Sequence, residues 1–331
     1  MTLSAQANTI AAMTERIAPR IAEHTVRTPL TPFSGVSAAG DATLLIKCEH
    51  QQRTGSFKLR GALSKILSLS PADRSRGVVT SSSGNHGLGV AHALSVLGGS
   101  GIVCVPESVS SAKFNALSRY AVEIRKLGRD AGETDVLGRQ LAEELGLTYI
   151  SPYNDPDVIA GQGTVGREIF EQLDGDHVDA VVVAVGGGGL ISGVAASVKS
   201  LLSGTRIVGA SPANDAAMAA SVGAGQIVDI DASPTLSDGT AGGIEPGAIT
   251  FALCVELVDE WVLVTEDQIK EALQLTIDSE HQLIEGAAAA ALAAAIQIGR
   301  AGGGQTLAVV SCGANISTST LRTALTPPGT A

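Results

Sequence analysis

Six consecutive apolar residues, Ala180–Val185, run directly into Gly186-Gly187-Gly188-Gly189 and then Leu190-Ile191-Ser192-Gly193. An unbroken apolar run of that length, closed by glycine, predicts a strand buried on both faces, as in parallel sheets covered by helices. The glycines predict a tight passage from strand to helix. Without Cβ atoms, successive backbone N–H groups can converge at a helix N-terminus, where unpaired donors and partial positive charge attract a phosphate. The same glycines would also serve a turn that packs helix closely on strand. Their place between a strand and a helix favours the phosphate.

The alternation recurs along the chain. Leu44–Lys47 reads as a short strand, followed by a Thr54-Gly55 turn and a helix beginning near Ser56. Val78–Thr80 precedes a helix near Asn85–Leu97, and Gly101–Val105 precedes one near Ser111–Tyr120. Arg206–Ala210 and Thr306–Ser311 are further buried strands. This pattern predicts an α/β architecture with parallel sheets. Ile10, Met13, Ile17 and Ile21 recur at helical spacing, so the chain opens with an amphipathic helix. Thr265 with Gln268 makes a capping box, and Gly299 is expected to follow the alanine-rich helix of Ala287–Ala295, whose composition predicts tight helix packing. A length of 331 residues suggests two domains at roughly 150 residues each. With no internal repeat and no Pro/Ser-rich linker, two domains would interleave.

Hydrophobic residues at 44% and charged residues at 17% exclude a disordered chain. Lys+Arg 22 against Asp+Glu 33 gives a net charge of −11, which argues against nucleic acid or an anionic membrane as partner. The longest apolar run, Ala287–Ile296, is far short of the ~20 residues a bilayer requires. The opening Met1-Thr2-Leu3-Ser4-Ala5-Gln6 lacks the basic and apolar regions of a secretory signal. Cys48, Cys104, Cys254 and Cys312 lie far apart without a C-x-x-C pair, so reduced thiols in a cytoplasmic protein are expected, not a disulfide frame or zinc site.

No Gly-Lys dipeptide occurs, so the glycine run is not a Walker A loop; Ile191 stands where the third glycine of G-x-G-x-x-G would fall. A small cofactor with one phosphate fits better than ATP or a dinucleotide. Lys58, in Thr54-Gly55-Ser56-Phe57-Lys58-Leu59-Arg60-Gly61-Ala62, lies near a helix start beside an aromatic ring and Arg60. Those neighbours are expected to push it toward the neutral amine that forms a Schiff base, although a lysine so placed is most often a solvated helix residue. Ser81-Ser82-Ser83-Gly84-Asn85-His86-Gly87 follows a strand and opens a helix. It reads equally as a cradle for a carboxylate and as an ordinary N-cap. A serine-hydrolase elbow and an H-E-x-x-H zinc motif are absent, and Glu143-Glu144 reads as a solvated helix face.

Taken in order, these segments resemble the fold-type II pyridoxal-phosphate enzymes (tryptophan synthase β-like), in particular the threonine/serine dehydratase and serine racemase group. The matching stretches are Lys47-Cys48-Glu49, Thr54–Ala62, Ser82-Ser83-Gly84-Asn85-His86, Val158-Ile159-Ala160-Gly161-Gln162-Gly163-Thr164, the tetraglycine, and Cys312-Gly313-Ala314-Asn315. The resemblance implies two interleaved domains, each with a mostly parallel sheet flanked by helices: residues 1–77 and 148–331 as the large cofactor-binding domain, and 78–147 as a small mobile domain.

By the same resemblance, pyridoxal 5′-phosphate would be held covalently by Lys58, with Phe57 packed beside its ring and Asn85 hydrogen-bonded to its 3′-oxygen. Gly186, Gly187, Gly188, Gly189 and Leu190 would hold the phosphate, and Cys312 would face the pyridine nitrogen. A thiol cannot keep that nitrogen protonated, which favours elimination. Ser82, Ser83, Gly84, Asn85 and His86 would grip the substrate carboxylate. The implied reaction is β-elimination from a small β-hydroxy amino acid, L-threonine or L-serine foremost, giving a 2-oxo acid and ammonia. Ser83 stands where serine racemases carry an acid/base on the face opposite Lys58, so a serine racemase or a 3-hydroxyaspartate dehydratase is the alternative. A cysteine-synthase-like replacement enzyme fits less well, because Leu59 follows the lysine and His86 closes the Ser-Gly-Asn loop. From another class, a non-catalytic cofactor-binding or dinucleotide-binding protein would need Lys58 to be idle. Ser211 and Ala217 occupy the positions of a racemase-like divalent metal site, so no metal is expected. Asp238-Gly239-Thr240-Ala241-Gly242-Gly243-Ile244-Glu245 looks like a dehydratase subgroup. Only a short tail follows Asn315, so no isoleucine-binding regulatory domain is expected. A homodimer is expected.

Overall fold

The glycine-closed apolar run lies at the centre of a sheet. The computed structural model describes residues 3–35 and 39–326; Met1 and Thr2, from the segment inspected for a secretory signal, fall outside them. Its strands are β1 (Leu30–Pro32), β2 (Thr43–Lys47), β3 (Val78–Ser81), β4 (Gly101–Val105), β5 (Glu123–Lys126), β6 (Thr148–Tyr149), β7 (Ala180–Ala184), β8 (Arg206–Pro212), β9 (Glu260–Val264) and β10 (Thr306–Val310). Six form one sheet in the order β1-β2-β10-β7-β8-β9, and four form a second in the order β5-β4-β3-β6. Every pairing is parallel except β1 with β2. All five residues of β7 are buried, as an unbroken apolar run between two helical layers requires.

The alanine-rich helix, Gly286–Arg300, packs across β7, β8, β9 and β10, and Ala287 to Ile296 are all buried. Small side chains bring its backbone close to the sheet. Gly299 does not follow this helix, as the sequence suggested, but lies inside it: a Cβ there would collide with the Ala39 carbonyl, so close packing, not chain termination, selects the glycine. The expected helix near Ser56 begins at Lys58, because Ser56 is tied in an antiparallel bridge to Gly313. The opening amphipathic helix is Ala5–Ala22, burying Ile10, Ile17 and Ile21. Thr265 and Gln268 make the capping box of the helix Glu266–Glu280. Glu143 and Glu144 are exposed. All four cysteines are unpaired and buried. Among the described residues, no helix is long and apolar enough to cross a membrane.

The helix Lys58–Ser68 lies between the two sheets. Its Leu59, Ala62, Leu63 and Ile66 pack with Val90, Ala93 and Leu94 of the helix Asn85–Leu97, and with Val158 of the helix Pro156–Leu173. Its polar side is fixed by Arg60, which is fully buried. Nε and Nη2 of Arg60 donate to the two Glu49 oxygens at 2.7 and 2.8 Å. Nη1 and Nη2 donate to the Glu168 oxygens at 2.8 and 2.9 Å. Lys47 Nζ, equally buried, joins the cluster through Glu168 at 2.5 Å, Gln172 at 2.9 Å and the Thr28 carbonyl at 2.6 Å. Two cations and two carboxylates thus neutralise one another in the interior. Burial alone would raise the Glu49 carboxyl, but the charge and hydrogen bonds of Arg60, with Lys47 and Thr28, hold it below the usual range.

Removing one member leaves the others charged and underpaired. Glu49→Ala should therefore cost about 3–5 kcal/mol, read as a lower urea midpoint at unchanged m. Because the folded Glu49 value is depressed, its contribution is complete above the unfolded value of about 4.3 and is lost as pH falls through the folded value. An unchanged midpoint would show that the cluster contributes nothing to the stability of this helix.

Candidate active site

Lys58 opens its helix with Phe57 as the preceding cap, and the amine points back across the site. Nζ donates to the Pro152 carbonyl at 2.9 Å and lies 5.3 Å from the centre of the Phe57 ring. Desolvation lowers its pKa to about 8, against the opposing pull of Cys312 and Glu285. Arg60, expected from sequence to help discharge the lysine, instead turns away into the Glu49–Glu168 cluster. Burial acts in its place.

Pro152 links the lysine to the tetraglycine. The next residue, Tyr153, lies flat against the glycine run, and a Cβ on Gly187 would come within 2.5 Å of its ring. A Cβ on Gly189 would meet Tyr153 Cα at 2.9 Å, and one on Gly186 would meet the Thr240 carbonyl oxygen at 2.6 Å. Gly188 adopts φ +84°, packed towards Met218, Thr250 and Cys254. The run is therefore enclosed along one side by Thr240, Tyr153 and Thr250, with no room for larger residues. Gly188 caps the helix Gly189–Leu201 without a side-chain hydrogen bond, so the leading N–H groups, including that of buried Leu190, are left for an outside acceptor.

The serine loop arrives from the other sheet. Ser82, Ser83, Gly84 and Asn85 are half-buried at the start of the helix Asn85–Leu97, which also lacks a side-chain cap. The N–H of Gly84 donates to Ser82 Oγ at 3.2 Å. Among the described residues Ser83 Oγ has no hydrogen-bond partner. His86 is buried, with Nε2 3.1 Å from the Ile150 carbonyl. Burial and the neighbouring Lys58 charge depress it to about 3, so it is neutral: Nε2–H donates and the buried Nδ1 is a bare acceptor.

Cys312 follows β10 and is pinned through its carbonyl, which accepts from Phe57 N at 3.0 Å. Burial and the nearby Glu285 raise its thiol well above the usual value, so it faces the site neutral. Glu285 was not legible as a site residue in the sequence. It sits at the N-cap of the alanine-rich helix, yet its carboxylate turns away from that helix. Both of its oxygens accept from Asn85 Nδ2, at 2.9 and 3.0 Å, and Oε2 also accepts from Asn315 N at 3.0 Å. Asn315 Nδ2 in turn donates to Asn85 Oδ1 at 2.6 Å. Burial raises the Glu285 carboxyl, partly offset by those donors. The available signal was a lone carboxylate directly before a long run of buried small residues. Tyr153 and Pro152 carried no motif. Ser211 donates its hydroxyl to the Val185 carbonyl at 3.2 Å, and Ala217 brings no ligating atom.

The two sheets, the lysine between them and the uncapped glycine run define a fold-type II pyridoxal-phosphate site, and sequence comparison agrees. The family model described as "Pyridoxal-phosphate dependent enzyme" matches residues 21–313, and the chain belongs to that family. It is 40% identical over 303 residues to a putative threonine dehydratase of Sinorhizobium fredii, covering 91% of each chain. It is 39% identical over 275 residues to the catabolic L-threonine dehydratase of Escherichia coli, covering 83% of each. The structure of threonine deaminase isoform 2 from Solanum lycopersicum superposes with a TM-score of 0.90 at 32% identity, covering 98% of this chain and 88% of that one. Serine racemase from Dictyostelium discoideum gives 0.85 at 34% identity, covering 93% and 98%.

The residues present fit pyridoxal phosphate: a lysine already lowered toward its amine, an uncapped helix start for the phosphate, and a neutral thiol near the lysine. The glycine packing yields a direct test. In Gly187→Ala the added Cβ drives Tyr153 and the loop apart, with an overpacking cost of about 1–3 kcal/mol falling on the cradle. Affinity for pyridoxal phosphate should drop about 5- to 150-fold in a protein that still unfolds cooperatively. Wild-type affinity in that variant would show that the loop does not hold the phosphate.

Proposed function

We propose that this protein is a threonine/serine ammonia-lyase, which removes water and then ammonia from a small β-hydroxy amino acid, L-threonine or L-serine, to leave a 2-oxo acid. The observation that carries this reading is a lysine whose Nζ is held 2.9 Å from the Pro152 carbonyl, in one site with a buried Cys312 and the uncapped glycine run; burial lowers the amine to about 8 and keeps the thiol neutral. When bound, pyridoxal phosphate supplies a sink for the electrons left as the Cα–H bond breaks. Lys58 Nζ is the base that takes the Cα proton, and its lowered pKa keeps a useful fraction unprotonated near neutral pH. The neutral Cys312 thiol lends no full positive charge to its side of the site, so the electron pair is expelled with the β-hydroxyl instead of being held. The N–H groups and hydroxyls of Ser82, Ser83, Gly84 and Asn85 bind the substrate carboxylate at an uncapped helix start. His86, being neutral, contributes its backbone and the rigidity of its bond to Ile150, not a charge.

The identity of about 40% to threonine dehydratases supports this reading. Segment 78–147 acts as the small domain that closes over substrate, the catalytic unit is a homodimer, and the protein works in the cytoplasm. A second reading has a specific observation behind it. The unpartnered Ser83 hydroxyl offers a proton on its own face of the substrate, as racemisation requires.

The test is release of 2-oxo acid from L-threonine, L-serine, D-serine and 3-hydroxyaspartate, with chiral analysis of the remaining amino acid. L-Threonine or L-serine should turn over, Lys58→Ala should lose at least 10³-fold in kcat, the upper part of the range for a general base, and Ser83→Ala should keep elimination from the L-substrate with a raised KM. Inverted amino acid without 2-oxo acid would replace the lyase by a racemase.

A further inference from the structure

The segment Asp238–Glu245 stood out in the sequence without a role. In the structure it lies over the glycine run as a strap. Ser237, Thr240 and Ile244 are buried, while Asp238, Gly239 and Ala241 to Gly243 are exposed. Its inner face touches the tetraglycine once directly and once through Tyr153. The backbone of Thr240 lies where a Cβ of Gly186 would be, 2.6 Å from the carbonyl oxygen and 2.8 Å from Cα. The N–H of Glu245 donates to Tyr153 Oη at 3.1 Å, and Tyr153 covers Gly187 with its ring and Gly189 with its Cα and Cβ. Between these contacts, the N–H of Gly242 donates to Asp215 at 2.9 Å.

Both ends of the strap are tied to the four-stranded unit by ion pairs. Lys113, on the helix Ser111–Leu117, lies 3.6 Å from Asp238. Arg139, on the helix Ala131–Leu145, reaches Glu245 at 3.1 Å while its Nε holds Asp135 at 2.7 Å. Arg139 is itself fixed over the Tyr149 ring, 4.6 Å from its centre, and Tyr149 Oη donates to Asp135 at 2.5 Å. One end of each pair therefore belongs to the unit that carries the serine loop, and the other to a segment resting on the glycines.

We propose that Arg139 and Glu245, with Lys113 and Asp238 as the looser second tie, are positioning residues: they hold the strap against the tetraglycine, so that the seating of the four-stranded unit and the grip on the cofactor phosphate are coupled. This rests on the assignment of the tetraglycine to the phosphate. Ion pairs at the surface that are only partly shielded, as these are, are individually weak, which suits a tie that must release as the unit moves.

The experiment titrates cofactor-free protein with pyridoxal phosphate and, separately, with pyridoxal, which reaches Lys58 but has no phosphate. It compares wild type, Arg139→Gln, Glu245→Gln and the double variant, with Lys113→Gln and Asp238→Asn as a second pair. Each single variant of the first pair should weaken pyridoxal phosphate up to about fivefold, the range of a surface pair, and leave pyridoxal unchanged. The double variant should be no weaker than either single one, since the interaction is already lost. Unchanged affinity in the single variants, additive losses, or equal losses with pyridoxal would each overturn the strap. Pyridoxal bound as tightly as its phosphate by the unmodified protein would overturn the cradle assignment and the strap with it. The proposed pattern in a protein that turns over none of the four amino acids would support the strap and remove only the proposed substrate.

Discussion

Arg60 fixes the helix from which the site is built. Its planar fork presents five donors; Nε and Nη2 engage Glu49, and Nη1 and Nη2 engage Glu168. Glu49 follows β2, and Glu168 belongs to the helix Pro156–Leu173, so one side chain ties the lysine helix to two other elements. A lysine at this position would bring three donors without a plane and could not satisfy both carboxylates in these directions. An apolar cluster of similar volume could be as stable, since burying four charges costs much of what their attraction returns. What an apolar cluster would lack is direction. The bidentate geometry sets the rotation and height of a helix whose first residue is Lys58, two positions from Arg60.

Burial then sets the state of each group facing the lysine. Lys58 is lowered, His86 is neutral, Cys312 keeps its proton, and the Glu285 carboxyl is raised. The same desolvation that makes the amine reactive keeps the nearby thiol uncharged, so one physical cause prepares both groups. The Glu285 carboxylate is tolerated because three N–H donations reach it, from Asn85 and Asn315. Those bonds also join the helix Asn85–Leu97 to the loop after β10. The serine loop is thus registered against the loop after β10 by part-buried hydrogen bonds, while the outer strap is held by partly exposed charges.

Where one local rule governs the chain, the sequence was readable. Ala180–Val185 could be little other than a buried strand, and the helix starting at Asn85 was bounded by its Ser-Ser-Gly loop. Gly299 and Ser56 were misread because tertiary contacts override local signals there: Ala39 crowds the one, and the bridge to Gly313 holds the other extended. Arg60 was assigned to the lysine on proximity in the chain, although along a helix two positions apart point to different sides. Lys58, the tetraglycine and the serine loop were marked by their places at helix starts after strands or turns, and their order in a family pattern then supplied their roles. Glu285, Pro152 and Tyr153 have no such pattern. Their roles arise from distant segments meeting, as when the Lys58 amine bonds a carbonyl 94 residues away.

The same arrangement bears on the substrate. Burial is the main cause that raises the Glu285 carboxyl and the Tyr153 hydroxyl; Asp238 adds to the first and Asp135 to the second, so carboxylates bordering the strap are felt within the site. The cations among them are engaged: Arg139 with Asp135 and Glu245, and Lys113 with Asp238. A substrate bearing one carboxylate can place it at the uncapped start of the helix Asn85–Leu97, away from these acids. A second carboxylate, as in 3-hydroxyaspartate, would be repelled wherever it came near them, since Arg139 and Lys113 are already paired with these acids. Repulsion of that kind acts most strongly where water is scarce. The charge distribution thus adds support to the proposed uncharged side chain at Cβ, as in threonine and serine, support that rests on seating the substrate carboxylate at the serine loop.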